Sequence, residues 1–221
     1  MLTEADLAAK VVSWLQEQHW TVYQEVQPAK WGGPRADIVA VQGQLVWVIE
    51  CKKSLGLSVL AQADRWRAHF RSVAVPKSKQ HRDSDRGFAI DICKMLGIGI
   101  LEVGIRSGVT ETRDAPLKRE YHRYAKELAA KLVPQQQTAA LAGSKGGGYW
   151  TPYRGTMNAV QVFLRGKAEG ASLKEILTAV GKGHYASSAS ARSGLRHCLE
   201  NYESDWCFVD KTVKPWKYRL R

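Results

Sequence analysis

Arg35-Ala36-Asp37-Ile38-Val39-Ala40-Val41-Gln42-Gly43-Gln44-Leu45-Val46-Trp47-Val48-Ile49-Glu50-Cys51-Lys52 is the stretch that decides how this 221-residue chain folds. Asp37 to Val41 and Leu45 to Cys51 are rich in Val, Ile and Trp, and Gln42-Gly43-Gln44 breaks the run. Gly43 suits the first central position of a II′ turn, with Gln44 as the second. Gln42 then faces Leu45, Asp37 faces Glu50 and Arg35 faces Lys52. Strand period two puts Glu50 and Lys52 on one face, and a directly opposed residue shares that face. Asp37, Glu50 and Lys52 therefore meet at one end of one face. Val39, Val41, Val46 and Val48 fill the rest of it, while Ile38, Trp47 and Ile49 occupy the other. Two apolar faces suit central strands covered by helices. A slip of one residue would dissolve the convergence.

Three charges among valines are costly to bury unless they face a metal, a substrate or one another. Two carboxylates this close repel and prefer a shared cation, and hard oxygen ligands select Mg²⁺ or Mn²⁺. The Cys51 carbonyl, between Glu50 and Lys52, is a further candidate ligand. Lys52 would neutralise charge developing on a phosphate, or help orient and deprotonate a water. The plainer alternative is a carboxylate–lysine network at a strand end.

Asp37, the hairpin and Glu50-Cys51-Lys52 together resemble the PD-(D/E)xK nuclease motif of restriction endonucleases and archaeal-type Holliday junction resolvases. The likeness covers roughly Met1 to Gly104. It implies that Asp37 and Glu50 bind Mg²⁺ (or Mn²⁺) and that Lys52 assists the attacking water. Pro34 departs from the pattern, standing three residues before Asp37 rather than next to it. The resolvase-like nucleases carry a metal-site glutamate on their first helix, and Glu4 matches it. Thr3 to Gln18 reads as that helix, with Thr3 as N-cap, Asp6 three residues on and Leu7, Val11, Trp14 and Leu15 as its apolar stripe. Glu25, ending a strand from Trp20 to Val26, is a second candidate for the metal. Leu57 to Phe70 suggests a helix, on which Gln62 resembles the polar residue several families add after the ExK strand to support the site or bind phosphate. Arg71 to Val75 reads as a strand and Lys77 to Arg82 as a basic loop. Ser84 to Leu96 reads as a helix with Phe88, Ile92 and Leu96 inside, and Ile98 to Val103 as the last strand.

The net charge of +12 points to a polyanionic partner, and beside this motif that partner is DNA. Hydrophobic residues make up 44% of the chain, enough for a core, yet no apolar run reaches a membrane span and no signal peptide is evident. Cys51, Cys93, Cys198 and Cys207 lack CxxC spacing, so reduced thiols in a cytoplasmic, DNA-associated protein are expected.

Residues 1–132 are expected to form the nuclease-like domain, with Asp114 to Leu132 as a charged helix striped by Leu117, Tyr121, Tyr124 and Leu128. Residues 133–148, with Pro134-Gln135-Gln136-Gln137 and a Gly-rich run, read as a flexible linker. Residues 149–221 hold twelve Lys or Arg against six Asp or Glu. They read as helices over Thr156–Arg165, after Ser172 and over Ser187–Tyr202, then a hairpin from Trp206–Val209 and Trp216–Leu220. This resembles a winged helix-turn-helix, with Ser188, Ser190, Arg192, Ser193 and Arg196 facing DNA and Lys214 and Lys217 in the basic tail. The expected whole is an α/β protein: a restriction endonuclease-like core with a mixed central sheet flanked by helices, plus a small winged-helix-like domain. Its expected function is metal-dependent DNA hydrolysis; a non-catalytic DNA-binding or architectural protein using the same core as a docking fold is the alternative. A homodimer is left open, since many enzymes of this superfamily pair.

Overall fold

In the computed structural model, residues 2–28, 33–78, 84–138, 142–143 and 150–221 are described. The chain divides into two compact units, Met1–Trp150 and Thr151–Arg221. The first contains α1 (Glu4–Glu17), β1 (Thr21–Val26), β2 (Ala36–Gln42), β3 (Leu45–Cys51), α2 (Leu57–Asp64), β4 (Phe70–Pro76), α3 (Ser84–Leu96), β5 (Gly99–Gly104), β6 (Gly108–Arg113) and α4 (His122–Ala129). The strands form one sheet in chain order, β1-β2-β3-β4-β5-β6. Its first three strands and its last pair run antiparallel, while β3, β4 and β5 are parallel, so the sheet is mixed and the unit is α/β.

Gly43 turns the central hairpin at φ +59°, where a Cβ would be strained, and Gln44 keeps a negative φ, the φ signature of a II′ turn. The resulting ladder pairs Gln42 with Leu45 and Ile38 with Ile49. Its two faces separate cleanly. Ile38, Ala40, Trp47, Ile49 and Cys51 pack under Leu7, Ala8, Val11 and Leu15 of α1, each buried aliphatic contributing roughly 2 kcal/mol. Thr3 opens α1 with a reciprocal cap, accepting from the Asp6 N–H at 3.1 Å and donating its own N–H to Asp6 at 2.9 Å. Val39, Val46 and Val48 pack on the opposite face with Trp66, Ala68, Ala125 and Leu128.

Several elements differ from the sequence expectation. The helix after the hairpin ends at Asp64 rather than Phe70. Arg71, buried to 3% exposure, folds back to donate to the Asp64 carbonyl (3.1 Å), the Asp64 carboxylate (2.9 Å) and the Trp66 carbonyl (3.4 Å). His69 then turns inward, its Nδ1 accepting from the Val46 N–H at 3.1 Å. Those bonds favour a turn over continued helix. On α3 the buried residues are Ala89 and Cys93, and Phe88 is 62% exposed rather than inside. Small residues bring that helix close to the sheet and rotate the phenyl ring outward. A sixth strand, β6, follows the turn at residues 105–107, and its Thr110, Glu111, Thr112 and Arg113 give it the polar sequence of a sheet edge. Asp114 to Lys118 is irregular, since Pro116 lacks an N–H and the Lys118 N–H is taken by the His69 carbonyl at 2.8 Å. Only then come a 3-10 turn at Arg119–Tyr121 and α4, with Leu117 and Tyr124 exposed.

Pro134–Gln137 is also ordered differently from a free linker. It forms a 3-10 turn with Gln136 buried, and the Gln137 carbonyl accepts from Gln24 of β1 at 3.2 Å. Ala142 and Gly143 follow it onto the same strand. Residues 139–141 and 144–148 of the expected linker, and residues 79–82 of the expected basic loop, lie outside the described residues.

The second unit contains α5 (Pro152–Arg165), β7 (Ala171–Ser172), α6 (Leu173–Val180), α7 (Ser188–Asn201), β8 (Cys207–Asp210) and β9 (Lys217–Leu220). Thr151 caps α5, with Pro152 in its first turn, and so starts the helix four residues earlier than expected. The β8–β9 hairpin forms, and β7 joins it to give a small sheet ordered β7-β9-β8. Met157, Val160, Ile176, Leu195, Leu199 and Tyr218 make its core.

Candidate functional site

The hairpin ladder carries Asp37 and Glu50 one step beyond the Ile38–Ile49 pair, at the end of the sheet where β3 leaves it. Glu50 is 3% exposed and Asp37 half-buried, and the two carboxyl groups are close enough to perturb each other's ionisation. Each also takes one donor from the fold. The Cys51 N–H reaches Asp37 Oδ2 at 2.8 Å, and the Trp66 indole N–H reaches Glu50 Oε1 at 2.6 Å. Burial raises both acids above the usual carboxylate range. Glu50, further penalised by the neighbouring Asp37 charge, is pushed up to about 8. The Cys51 N–H and the Lys52 charge partly offset the rise at Asp37. Burial and mutual repulsion therefore work against ionising both acids at once.

Lys52 stands just past β3, its N–H bonded to the Ala74 carbonyl at 3.0 Å. Its Nζ lies 3.4 Å from Glu4 Oε2, with both side chains roughly one-third exposed or less. The opening helix therefore does bring Glu4 to this end of the sheet, as the partner of Lys52. Cys51 turns its thiol into the core beneath α1, where burial drives its pKa well up, and leaves its backbone against Asp37.

Glu25 has a different occupation. It lies in register with Asp37, between the Gln24–Ile38 and Val26–Ala36 pairs, but adopts φ +52°. That left-handed conformation costs a non-glycine residue on the order of 1–3 kcal/mol. Both carboxylate oxygens are committed, Oε1 to the Gly143 N–H at 2.8 Å and Oε2 to Arg35 Nε at 2.5 Å. Gln24 similarly accepts the Ala142 N–H at 3.0 Å. Glu25 thus clamps a returning segment, and in this structure its oxygens face Gly143 and Arg35. Gly143 sits so close to α1 that a Cβ would lie 2.7 Å from the Glu4 carbonyl carbon.

Gln62 lies on α2, which packs on β3 and β4, and its Oε1 is buried without a hydrogen-bond partner. A buried acceptor left unpaired marks a place where a donor or water belongs. Among the described residues, no three His, Cys, Asp or Glu side chains gather as a cation cage. Asp37 and Glu50 present two carboxylates at this end of the sheet. That donor set fits Mg²⁺, which is held in many sites by one or two carboxylates and completes its shell with water and substrate phosphate.

In the second unit, α7 presents Ser188, Ser190, Arg192 and Ser193 to solvent. A groove of about 820 Å³ runs beside it, lined by Leu173, Leu177, Ser188, Arg192, Ser193 and His197 among others. Arg192 has no acidic partner among the described residues. Arg196 is engaged within the unit, its Nε 3.0 Å from Glu200 and its guanidinium 4.6 Å from the Trp216 ring centre. Lys211 also approaches Glu200 and Trp216, tying α7 to the hairpin. Lys217 pairs with Glu175 at 3.3 Å, and Glu175 also closes the Ser172 cap, whose hydroxyl and N–H hold its carboxyl down to about 2. Lys214 is exposed.

Sequence reasoning missed Trp66, Arg71 and Gly143. The sole aromatic in Asp64-Arg65-Trp66-Arg67 was a signal for Trp66; Gly143, 118 positions from Glu25, carried none. No family model matches this chain, and neither the curated proteins nor the solved structures compared with it give a match.

Proposed function

We propose that the chain is a Mg²⁺- or Mn²⁺-dependent DNA nuclease of the PD-(D/E)xK type, built on a restriction endonuclease-like core with a winged-helix-like DNA-binding unit. The observation that carries this reading is the close pair of Asp37 and buried Glu50, each held by a donor of the fold, with Lys52 beside it. Nothing in a merely structural role requires two carboxylates to be held where both resist ionising. Asp37 and Glu50 would hold the cation, with the Cys51 carbonyl and water completing its shell. Such a cation lowers the pKa of a bound water and draws charge from a phosphodiester oxygen.

The chain's own groups supply the rest. Glu4 holds the Lys52 ammonium at the mouth of the site, where it would orient a water and stabilise charge developing on the phosphate. Trp66 and the Cys51 N–H fix the two carboxylates against rotation. Gln62 offers its amide from α2. In the second unit, α7 followed by the β8–β9 hairpin supports the winged-helix reading. There Arg192, with the serines around it, is the freest group to meet a phosphate, and Lys214 is exposed on the hairpin loop. Arg196 and Lys217 would act mainly by shaping that surface.

The test is incubation of the full chain with supercoiled, linear, single-stranded and branched DNA, in Mg²⁺ or EDTA, alongside Lys52→Ala and Asp37→Asn. Metal-dependent cleavage that falls by roughly 10²-fold or more in both variants is expected. Intact DNA binding with no cleavage of any substrate would refute the enzyme and favour the non-catalytic DNA-binding alternative.

A further inference from the structure

We propose that Trp66 is a positioning residue for the Asp37–Glu50 centre, its indole N–H holding one oxygen of Glu50 so that a divalent cation meets a single fixed oxygen. The inference rests on reading that centre as a cation site. The geometry behind it belongs to this chain. Trp66 lies beyond the end of α2, in a turn that Arg71 fastens by bonding the Asp64 and Trp66 carbonyls on one side and the Leu96 carbonyl, at 2.5 Å, on the other. The ring is 7% exposed and packs with Val39, Val46 and Val48 beneath the hairpin. From there its N–H comes within 2.6 Å of Glu50 Oε1. Among the described residues it is the N–H donor to that carboxylate.

A hydrogen bond in a buried, low-dielectric site is strengthened, and a tryptophan ring locked by packing has little freedom to follow a rotating carboxyl group. An unrestrained Glu50 could rotate toward Asp37 or chelate through both oxygens. With Oε1 held, the carboxylate orientation is set before a cation arrives. Hydrogen-bonded groups behind metal ligands typically govern affinity by 10- to 100-fold. Phenylalanine at this position would keep most of the apolar contact and remove the donor.

The experiment uses the full-length protein and measures Mn²⁺ binding by electron paramagnetic resonance in wild type, Trp66→Phe, Asp37→Asn and, as a ring-packing control, Trp20→Phe. Indole N–H resonances are followed by NMR during Mg²⁺ addition, the Trp66 signal being identified by its loss in Trp66→Phe. Expected is binding weakened about tenfold or more in Trp66→Phe, unchanged in Trp20→Phe, with the Trp66 indole resonance moving more than that of Trp47, which is bonded to Ser72. Wild-type binding lost in Asp37→Asn but kept within twofold in Trp66→Phe would overturn the positioning role and leave the cation site standing. No Mn²⁺ binding by wild type would overturn the reading beneath it as well. Should Trp66→Phe fail to fold, the signal is assigned by elimination from single-site Trp→Phe variants at the other positions. A Trp66 resonance that stays still at Mg²⁺ concentrations that displace bound Mn²⁺ then refutes the inference.

Discussion

Replacing Glu50 with Gln should stabilise the empty protein at alkaline pH, although it removes a residue placed in the reactive centre. Glu50 is held at about 8 against an ordinary 4.5. Below pH 4.5 both folded and unfolded chains keep its proton. Between 4.5 and 8 the unfolded chain releases it while the folded chain retains it, so stability falls as pH rises through that window. At roughly 1.4 kcal/mol per pH unit the ceiling is about 5 kcal/mol. Burial raises Asp37 as well, so the penalty is divided over the pair, and about 3 kcal/mol is the expected difference. Gln at this position still accepts from Trp66 and can donate to Asp37, which leaves no buried group orphaned. Urea unfolding in EDTA at pH 5, 6, 7 and 8, followed by tryptophan fluorescence, measures it. Wild type should lose about 3 kcal/mol more than Glu50→Gln between pH 5 and pH 8. Added Mg²⁺ should return much of that loss to wild type and none to the variant. Parallel pH profiles, within about 0.5 kcal/mol, would show that Asp37 and Glu50 are not in conflict, and the electrostatic case for a cation would fall with them.

Other substitutions separate roles the sequence leaves merged. Arg192→Ala should weaken DNA binding and reduce the salt slope by about one, while leaving the melting temperature unchanged. Arg196→Ala should instead destabilise the second unit by about 0.5–1 kcal/mol, because Glu200 and Trp216 keep only Lys211 as a shared cation. Gly143→Val is expected to cost about 2 kcal/mol in urea unfolding, since a Cβ there meets α1 backbone and the residue sits at φ +73°. Phe88→Ala should cost less than about 1 kcal/mol, against 3–5 for a buried phenylalanine, and a larger loss would place that ring in the core.

The hairpin was legible because its information is local: an alternating pattern, one glycine and a fixed index sum determine which side chains meet. The cap on α1 was legible for the same reason, Thr3 and Asp6 lying three residues apart. What escaped depended on distant partners. Arg71 lies seven residues from Asp64 and 25 from Leu96, and its bonds shorten a helix that the apolar pattern alone would extend. The rotation of α3 followed from how closely Ala89 and Cys93 could approach the sheet, which no periodicity reports. The bonds that Glu25 makes to Gly143 and Arg35 were equally hidden, Gly143 lying 118 residues away. β6 was invisible because an edge strand with polar residues on both sides lacks the alternation that marks a half-buried one.

Arg71 has a wider consequence. One guanidinium terminates two helices at once, closing α2 at Asp64 and α3 at Leu96, from a strand lying between the two in sequence. The last turns of both helices are thereby bracketed to β4 and to each other. Lysine, with one nitrogen in place of a fork, could not serve both ends. Damage to this single side chain would loosen three elements together, and Trp66, though distant in function from any helix terminus, would lose its aim with them.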